Sequence, residues 1–210
     1  MSSEAKTQEK VQMDPKYIGS LTVRLFGTCV VVAFLLGLVN MVTLPNITAI
    51  NRQKTEEAMK AVVADPDAAS FSDALALTDD MLSAASAAGG KLTEAYQVTE
   101  GGAPAGYTLK IEASGSQGII EMMVGLDADD TVTGVSIVSN SETSGIGSKV
   151  MNNEVTATGV HVLEQFEGKS PADGTLTVGS NIDAITGATV SSKGVTAGVN
   201  AALAVGSVLD

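Results

Sequence analysis

Between Arg24 and Arg52 the chain carries no charged side chain, and Leu25 to Leu44 (LFGTCVVVAFLLGLVNMVTL) is apolar almost throughout. At a rise of ~1.5 Å per residue, a helix of this length crosses a hydrocarbon core of about 30 Å. A cleaved signal peptide fits poorly. The run is longer than an apolar signal core, and no A-x-A-like cleavage site follows it. Asn46-Ile47, Arg52 and Lys54 come next instead. The expectation is one retained membrane anchor, with Pro45 marking either its exit from the bilayer or a kink.

Charge sets the orientation. Lys6, Lys10, Lys16 and Arg24 precede the span, and Arg52, Lys54 and Lys60 follow it, so the positive-inside bias is slight. From Asp65 to Asp210 there are 19 Asp and Glu, five Lys and no Arg, a net charge of −14. Acidic segments cross membranes with little hindrance. The expected arrangement is a cytoplasmic N-terminus with the domain outside. The same acidity argues against nucleic acid as a partner, because phosphates would be repelled.

Cysteine and histidine exclude several chemistries. The single cysteine, Cys29, lies inside the apolar span. A disulfide within one chain, a Cys-ligated iron–sulfur cluster and a Cys-based zinc site are therefore all out of reach. The single histidine, His161, rules out a multi-His metal site and reads as structural or solvent-facing. No G-x-S-x-G elbow accompanies it, which counts against a serine hydrolase. No metal site and no catalytic side chain is expected. Asp127, Asp129 and Asp130 lack the calcium-loop spacing and read as a hairpin turn.

Along the chain, residues 1–16 read as a polar tail, and 51–64 as a helix stopped by Asp65-Pro66. Residues 70–90 are Ala-rich, with Ser72-Asp73 as an N-cap and Gly89-Gly90 as a stop. Thr93–Thr99 and Tyr107–Ala113 alternate apolar and polar residues and read as a hairpin joined by Gly101–Gly106. Ile119–Leu126 and Thr131–Ser139 extend it to a four-stranded antiparallel meander. A helix over roughly 155–167, a short strand near Thr175–Val178 and a last helix over about Ser192–Ala204 complete an α+β domain in which helices flank an antiparallel sheet. Met122 and Met123 read as core.

Asp183-Ala184-Ile185-Thr186-Gly187-Ala188-Thr189 stands just ahead of that last helix and is followed by Val190-Ser191-Ser192. A threonine hydroxyl is a weak nucleophile. No histidine is near Thr189 in sequence, and Asp183 is six residues away. The chain is therefore not equipped to attach a group to Thr189 unaided. Thr186, Thr189, Ser191 and Ser192 are also residue types that cap helices, so taken alone the stretch reads equally as a turn and an N-cap.

The stretch resembles the attachment site of the covalent-FMN-binding domain family, D-x-x-[ST]-G-A-T, whose last threonine carries FMN through a phosphoester. The resemblance runs over roughly residues 93–205. Gly106-Tyr107, the Gly115–Gly118 turn, Ile120–Asp127 and Thr133-Gly134-Val135 fall in the family's order. Glu142-Thr143-Ser144-Gly145-Ile146-Gly147 is similar to its E-T-P-G-L-G loop, and Gln165-Phe166-x-Gly168-Lys169 to its F-x-G-K segment. The resemblance implies covalent FMN on Thr189, with Ser191 as second-choice acceptor if it shares the exposed turn. It implies a Mg²⁺-dependent flavin transferase that moves the FMN half of FAD. Asp183, Thr186, Gly187 and Ala188 would form the recognised turn, with Glu142, Thr143 and Gly145 in the loop beside the cofactor. Lys193, one turn into the helix, would pair with the phosphate, which the helix N-terminus also favours.

The short tail, single span and compact domain resemble those members of the family that serve Rnf-type ion-translocating ferredoxin:NAD⁺ oxidoreductases. This implies an electron-relay subunit that does not turn over alone, with the other membrane subunits of such a complex as partners. The chain has no G-x-G-x-x-G signature and no cluster ligands, so NAD and ferredoxin would meet those other subunits. The expected division is a cytoplasmic tail over 1–24, a transmembrane helix over 25–45, a helical connector and N-terminal part of the ectodomain over 46–92, and the FMN-binding domain over 93–210. Two other readings stay open: a stand-alone extracytoplasmic flavin carrier, and a cofactor-free extracytoplasmic binding or assembly domain.

Overall fold

The computed structural model describes residues 15–209. Residues 1–14 of the expected tail lie outside them. The chain divides into two compact units, one up to Asn51 and one from Arg52 onward. In the first unit, helix α1 (Pro15–Ala61) begins. Its large apolar side chains from Tyr17 to Ile50 are exposed. Such a surface suits hydrocarbon rather than water. The hydroxyls of Thr22, Thr28, Thr43 and Thr48 each donate to a carbonyl three or four residues back, leaving none of these donors unpaired. Pro45 lies inside α1 and does not end it. A proline removes one helical N–H, a loss that membrane helices tolerate. The helix expected over 51–64 is the last part of α1 and stops at Ala61.

The second unit is built on a five-stranded antiparallel sheet in sequential order: β1 (Ala69–Phe71), β2 (Gly90–Glu100), β3 (Ala103–Ser114), β4 (Ile119–Asp127) and β5 (Val132–Asn140). The meander follows the alternation seen in the sequence. On β3, Leu109, Ile111 and Ala113 are buried on one face, while Lys110 and Glu112 point to the other. The first face packs under α2 (Asp79–Ala87) and α4 (Thr189–Gly206), with Met81, Val195, Val199 and Leu203 closing over Ile120, Met122 and Val124. The second face is covered by the end of α1. Ala58, Met59 and Val62 pack on Met123, Val138, Phe71 and Tyr96. Gly125 and Gly134 are paired across β4 and β5. A Cβ on Gly125 would lie 2.1 Å from the Val62 carbonyl oxygen. The missing side chain is what lets α1 sit this close.

Several boundaries differ from the sequence reading. The β2–β3 connection is the tight pair Gly101-Gly102, not the six residues Gly101–Gly106. Residues 72–78 are not helical. Ser72 and Leu75 donate their N–H groups to the carbonyls of Gln97 and Ala95, which holds the segment beside β2, and Thr78 caps α2 instead. The Asp127 carboxylate builds the β4–β5 turn by accepting from the N–H groups of Asp129 and Thr131.

The helix expected over 155–167 is absent. Val155 bridges His161 in a tight reversal in which Gly159 has φ +89°. The Thr156 N–H and hydroxyl both donate to the Val160 carbonyl. Five β-branched residues between 155 and 162 and this side-chain bonding favour the reversal over a helix. Only Glu164–Phe166 forms a short 3₁₀ turn. His161 is exposed, with Nδ1 at 2.5 Å from the Asn153 carbonyl. The strand expected near Thr175–Val178 is also absent, because the Asn200 side chain on α4 takes both the N–H and the C=O of Leu176.

Candidate functional site

Thr189 is the first residue of an 18-residue helix and is exposed. The turn before it explains its position. The Ala188 N–H donates to the Ile185 carbonyl at 2.9 Å, and Gly187, third in this four-residue turn, has φ +85°. A turn with positive φ at that place favours glycine. Ile185 and Ala188 are buried, 5% and 3% exposed, so the turn is anchored at both ends while Thr186 and Gly187 face solvent. Ser192, fully inside, accepts from the Ile185 N–H and donates to the Ala188 carbonyl, joining turn and helix.

The N-cap of α4 is Ala188, and no side chain caps the helix. The cap reading of Thr186, Thr189, Ser191 and Ser192 is thereby set aside. The N–H groups of Thr189, Val190 and Ser191 have no acceptor among the described residues. An exposed hydroxyl beside free N–H groups at the positive end of a helix dipole is a donor set that suits a phosphoester. Lys193 is exposed one turn on. At a spacing of four residues it shares the face of Thr189. The residues present therefore fit a phosphate-linked group.

Ser191, expected to share the exposure of Thr189, does not. It is 1% exposed and donates to Glu142 Oε2. Glu142 Oε1 accepts from the N–H groups of Ser116 and Gln117 at 2.7 and 3.1 Å. One half-buried carboxylate thus ties the Gly115–Gly118 turn, the 142–147 loop and the start of α4 together. Thr143 and Gly145 shape that loop and make no hydrogen bond to α4. The Thr143 carbonyl accepts from the Ile146 and Ser148 N–H groups, and the Gly145 N–H donates to Ser148 Oγ at the start of α3 (Ser148–Met151).

Asp183 is held from two sides. Its N–H donates to Gln165 Oε1 at 2.7 Å, its carbonyl accepts from Gln165 Nε2 at 2.9 Å, and its Oδ2 accepts from the Thr158 hydroxyl at 2.8 Å. Sequence reasoning missed the roles of Gln165 and Thr158. Gln165 adjoins the family-like Phe166-x-Gly168-Lys169 segment, which was a usable signal; Thr158 gave none.

The FMN-binding domain family matches residues 115–204. The chain is 38% identical to the G subunit of the Na(+)-translocating ferredoxin:NAD(+) oxidoreductase complex of Acetobacterium woodii, over 95% of this chain and 97% of that one. It is 30% identical to the G subunit of the ion-translocating oxidoreductase complex of Methanosarcina acetivorans, over 90% and 95%. Among solved structures, the crystal structure of Shewanella oneidensis NqrC aligns with a TM-score of 0.42 at 20% identity, over 68% of this chain and 66% of that chain. With similarity along nearly its whole length, the chain belongs to the family of G subunits of ion-translocating ferredoxin:NAD⁺ oxidoreductase complexes.

Proposed function

We propose that this chain is the electron-relay subunit of an Rnf-type membrane complex and carries FMN as a phosphoester on Thr189. The observation that carries the reading is the exposed Thr189 hydroxyl at the uncapped start of α4, behind a turn anchored by Ile185 and Ala188. Attachment is the work of a separate flavin transferase using FAD. Bound there, FMN supplies redox chemistry that no side chain of this chain offers. The chain's own residues would hold the phosphate: the free N–H groups of the first turn would donate to its oxygens, and Lys193 would add a cation. Glu142, Thr143 and Gly145 are the loop residues that would help to hold the bound cofactor.

The other membrane subunits of the complex are the partners. The N-terminal tail over 1–24 is cytoplasmic, residues 25–45 cross the membrane, 46–92 form the helical connector and the N-terminal part of the ectodomain, and 93–210 form the flavin domain outside. The strong acidity beyond Asp65 supports that orientation. The test is the intact mass of the full chain produced with and without a flavin transferase, followed by sequencing of the modified peptide. A gain of one FMN less one water on Thr189 is expected. No gain, with the transferase active on a control protein, returns the domain to a cofactor-free binding or assembly role.

A further inference from the structure

We propose that Thr158 and Gln165 are positioning residues for the transfer of the flavin phosphate to Thr189, acting through Asp183; this rests on the function proposed above for Thr189. In that transfer Thr189 Oγ1 bonds to the FMN-side phosphorus of FAD, the bond from that phosphorus to the bridging oxygen breaks, AMP leaves and the hydroxyl proton is released. No electrons change hands. The step demands that one small hydroxyl be presented in one place, and a loss of ångström-scale alignment is expensive in such reactions.

The acceptor turn is fixed on its far side by α4, through Ser192. On its near side, beside the buried Ile185, it is held by the side-chain hydrogen bonds that converge on Asp183. The Gln165 side-chain amide pairs with both main-chain groups of Asp183, as a neighbouring strand would. Its Nε2 also donates to the Val162 carbonyl, so the amide has one orientation that satisfies every bond. Gln165 stands next to Phe166, which is 1% exposed and locked in the core. The Thr158 hydroxyl closes the latch on the Asp183 carboxylate. Thr158 lies at the tip of the 155–161 reversal, its hydroxyl oxygen 2.9 Å from that of Thr156. The latch thus ties Asp183, just ahead of Thr189, to the 155–161 reversal and the turn that follows it, 25 and 18 residues earlier in the chain. The motif's aspartate, although exposed, is therefore engaged by the chain's own side chains, and its effect on attachment runs through the shape of the turn rather than through direct reading by the transferase.

The experiment measures the rate of FMN attachment to the full chain in detergent, by intact mass, over a range of acceptor concentrations. The variants are Thr158→Val, Gln165→Leu, Asp183→Asn, Asp183→Ala and the pair Thr158→Val with Asp183→Ala. Thermal melting checks that each variant is folded. Loosening the turn lowers the fraction of chains in the competent shape, which raises the apparent KM and spares kcat. A loss of about tenfold in kcat/KM is expected for Thr158→Val and Gln165→Leu, from the ordinary worth of a charge-assisted or paired hydrogen bond. Asp183→Asn keeps an acceptor oxygen for Thr158 and should retain most of the rate. The double variant should be no worse than Asp183→Ala alone, because both changes break one latch.

A readout independent of flavin is the amide exchange of Asp183, which should speed up in Gln165→Leu. Wild-type rates in Thr158→Val and Gln165→Leu, with Asp183→Asn as impaired as Asp183→Ala, would overturn the latch and leave Asp183 as a direct contact. A wild-type chain that never gains mass on Thr189 would instead overturn the flavin reading itself, and the positioning role with it.

Discussion

Ser191 Oγ donates to Glu142 Oε2 at 2.5 Å across 49 residues of sequence. The bond pins the start of α4 to a loop that itself hangs on the N–H groups of Ser116 and Gln117. Three segments that carry family-like motifs therefore meet on one carboxylate, and that junction adds to the 185–188 turn in fixing the start of α4, where Thr189 stands.

Removing the carboxylate tests the junction. Glu142→Ala strips partners from Ser191 and from two main-chain N–H groups, at a cost of about 2 kcal/mol for charge-assisted bonds at a half-buried site. Glu142→Gln keeps an acceptor for the two N–H groups and should lose less. Denaturant unfolding of the two variants is the check, and equal stability of Glu142→Ala and wild type would show that water replaces the carboxylate without loss.

Burial also separates the two candidate hydroxyls. Ser191 is 1% exposed and already bonded, whereas Thr189 is exposed. Thr189→Ala should therefore abolish covalent flavin completely, with no transfer to Ser191, while α4 stays folded because Ala188 remains its N-cap. Denatured protein examined for in-gel flavin fluorescence is the measurement. A fluorescent band in the Thr189→Ala chain would mean that the start of α4 opens enough to release Ser191 from Glu142.

The sheet and the long apolar helix were legible because each rests on short-range pattern. Leu109, Ile111 and Ala113 alternate with Lys110 and Glu112, glycine and aspartate mark the turns, and Leu25–Leu44 is apolar almost without interruption. The start of α4 was legible within three residues from its Thr and Ser cluster, although the residues suspected as caps do not cap it. What failed depends on distant partners. Val155, Val162 and Phe166 fall at helical spacing, yet Thr156 bonds its own loop and the helix never forms. The strand near Thr175–Val178 is lost to Asn200, whose side chain takes the main chain of Leu176 from 24 residues further on. Gln165 and Asp183 are 18 residues apart and nothing local marks them as a pair.

Tyr96 gives a pH dependence. Burial, first, and then its hydrogen bond to Glu94 Oε2 and the charge of that carboxylate, hold its phenol well above the ordinary value near 10. The unfolded chain loses this proton at about pH 10 while the folded chain keeps it, so the unfolded state binds fewer protons there and stability falls as pH rises. Below that pH both states are protonated and the contribution is intact. Tyr96→Phe should flatten the alkaline part of a stability-against-pH curve above about pH 10. An unchanged slope in the variant would assign the alkaline loss to other groups.

The end of α1 belongs to the folded domain, and its contact with the sheet is testable at single atoms. The Thr133 hydroxyl donates to the Val62 carbonyl, and that carbonyl points into the space left by Gly125. In Gly125→Ala the added methyl would stand 2.1 Å from the Val62 oxygen and 2.4 Å from Thr133 Oγ1, so either the helix end lifts or β4 shifts. Overpacking of this kind costs about 1–3 kcal/mol. Thr133→Val keeps the shape and removes only the donor, at about 1 kcal/mol. If the helix end lifts, Met123 and Val138 lose the cover of Met59 and Val62. A soluble form starting at Asp65 should then behave like an extreme of Gly125→Ala, less stable and more prone to aggregate than one starting at Arg52. Melting temperatures of the two soluble forms and of the two variants in the longer form decide the matter. Equal melting of the forms starting at Arg52 and Asp65 would show that the α1 end rests on the sheet without stabilising it.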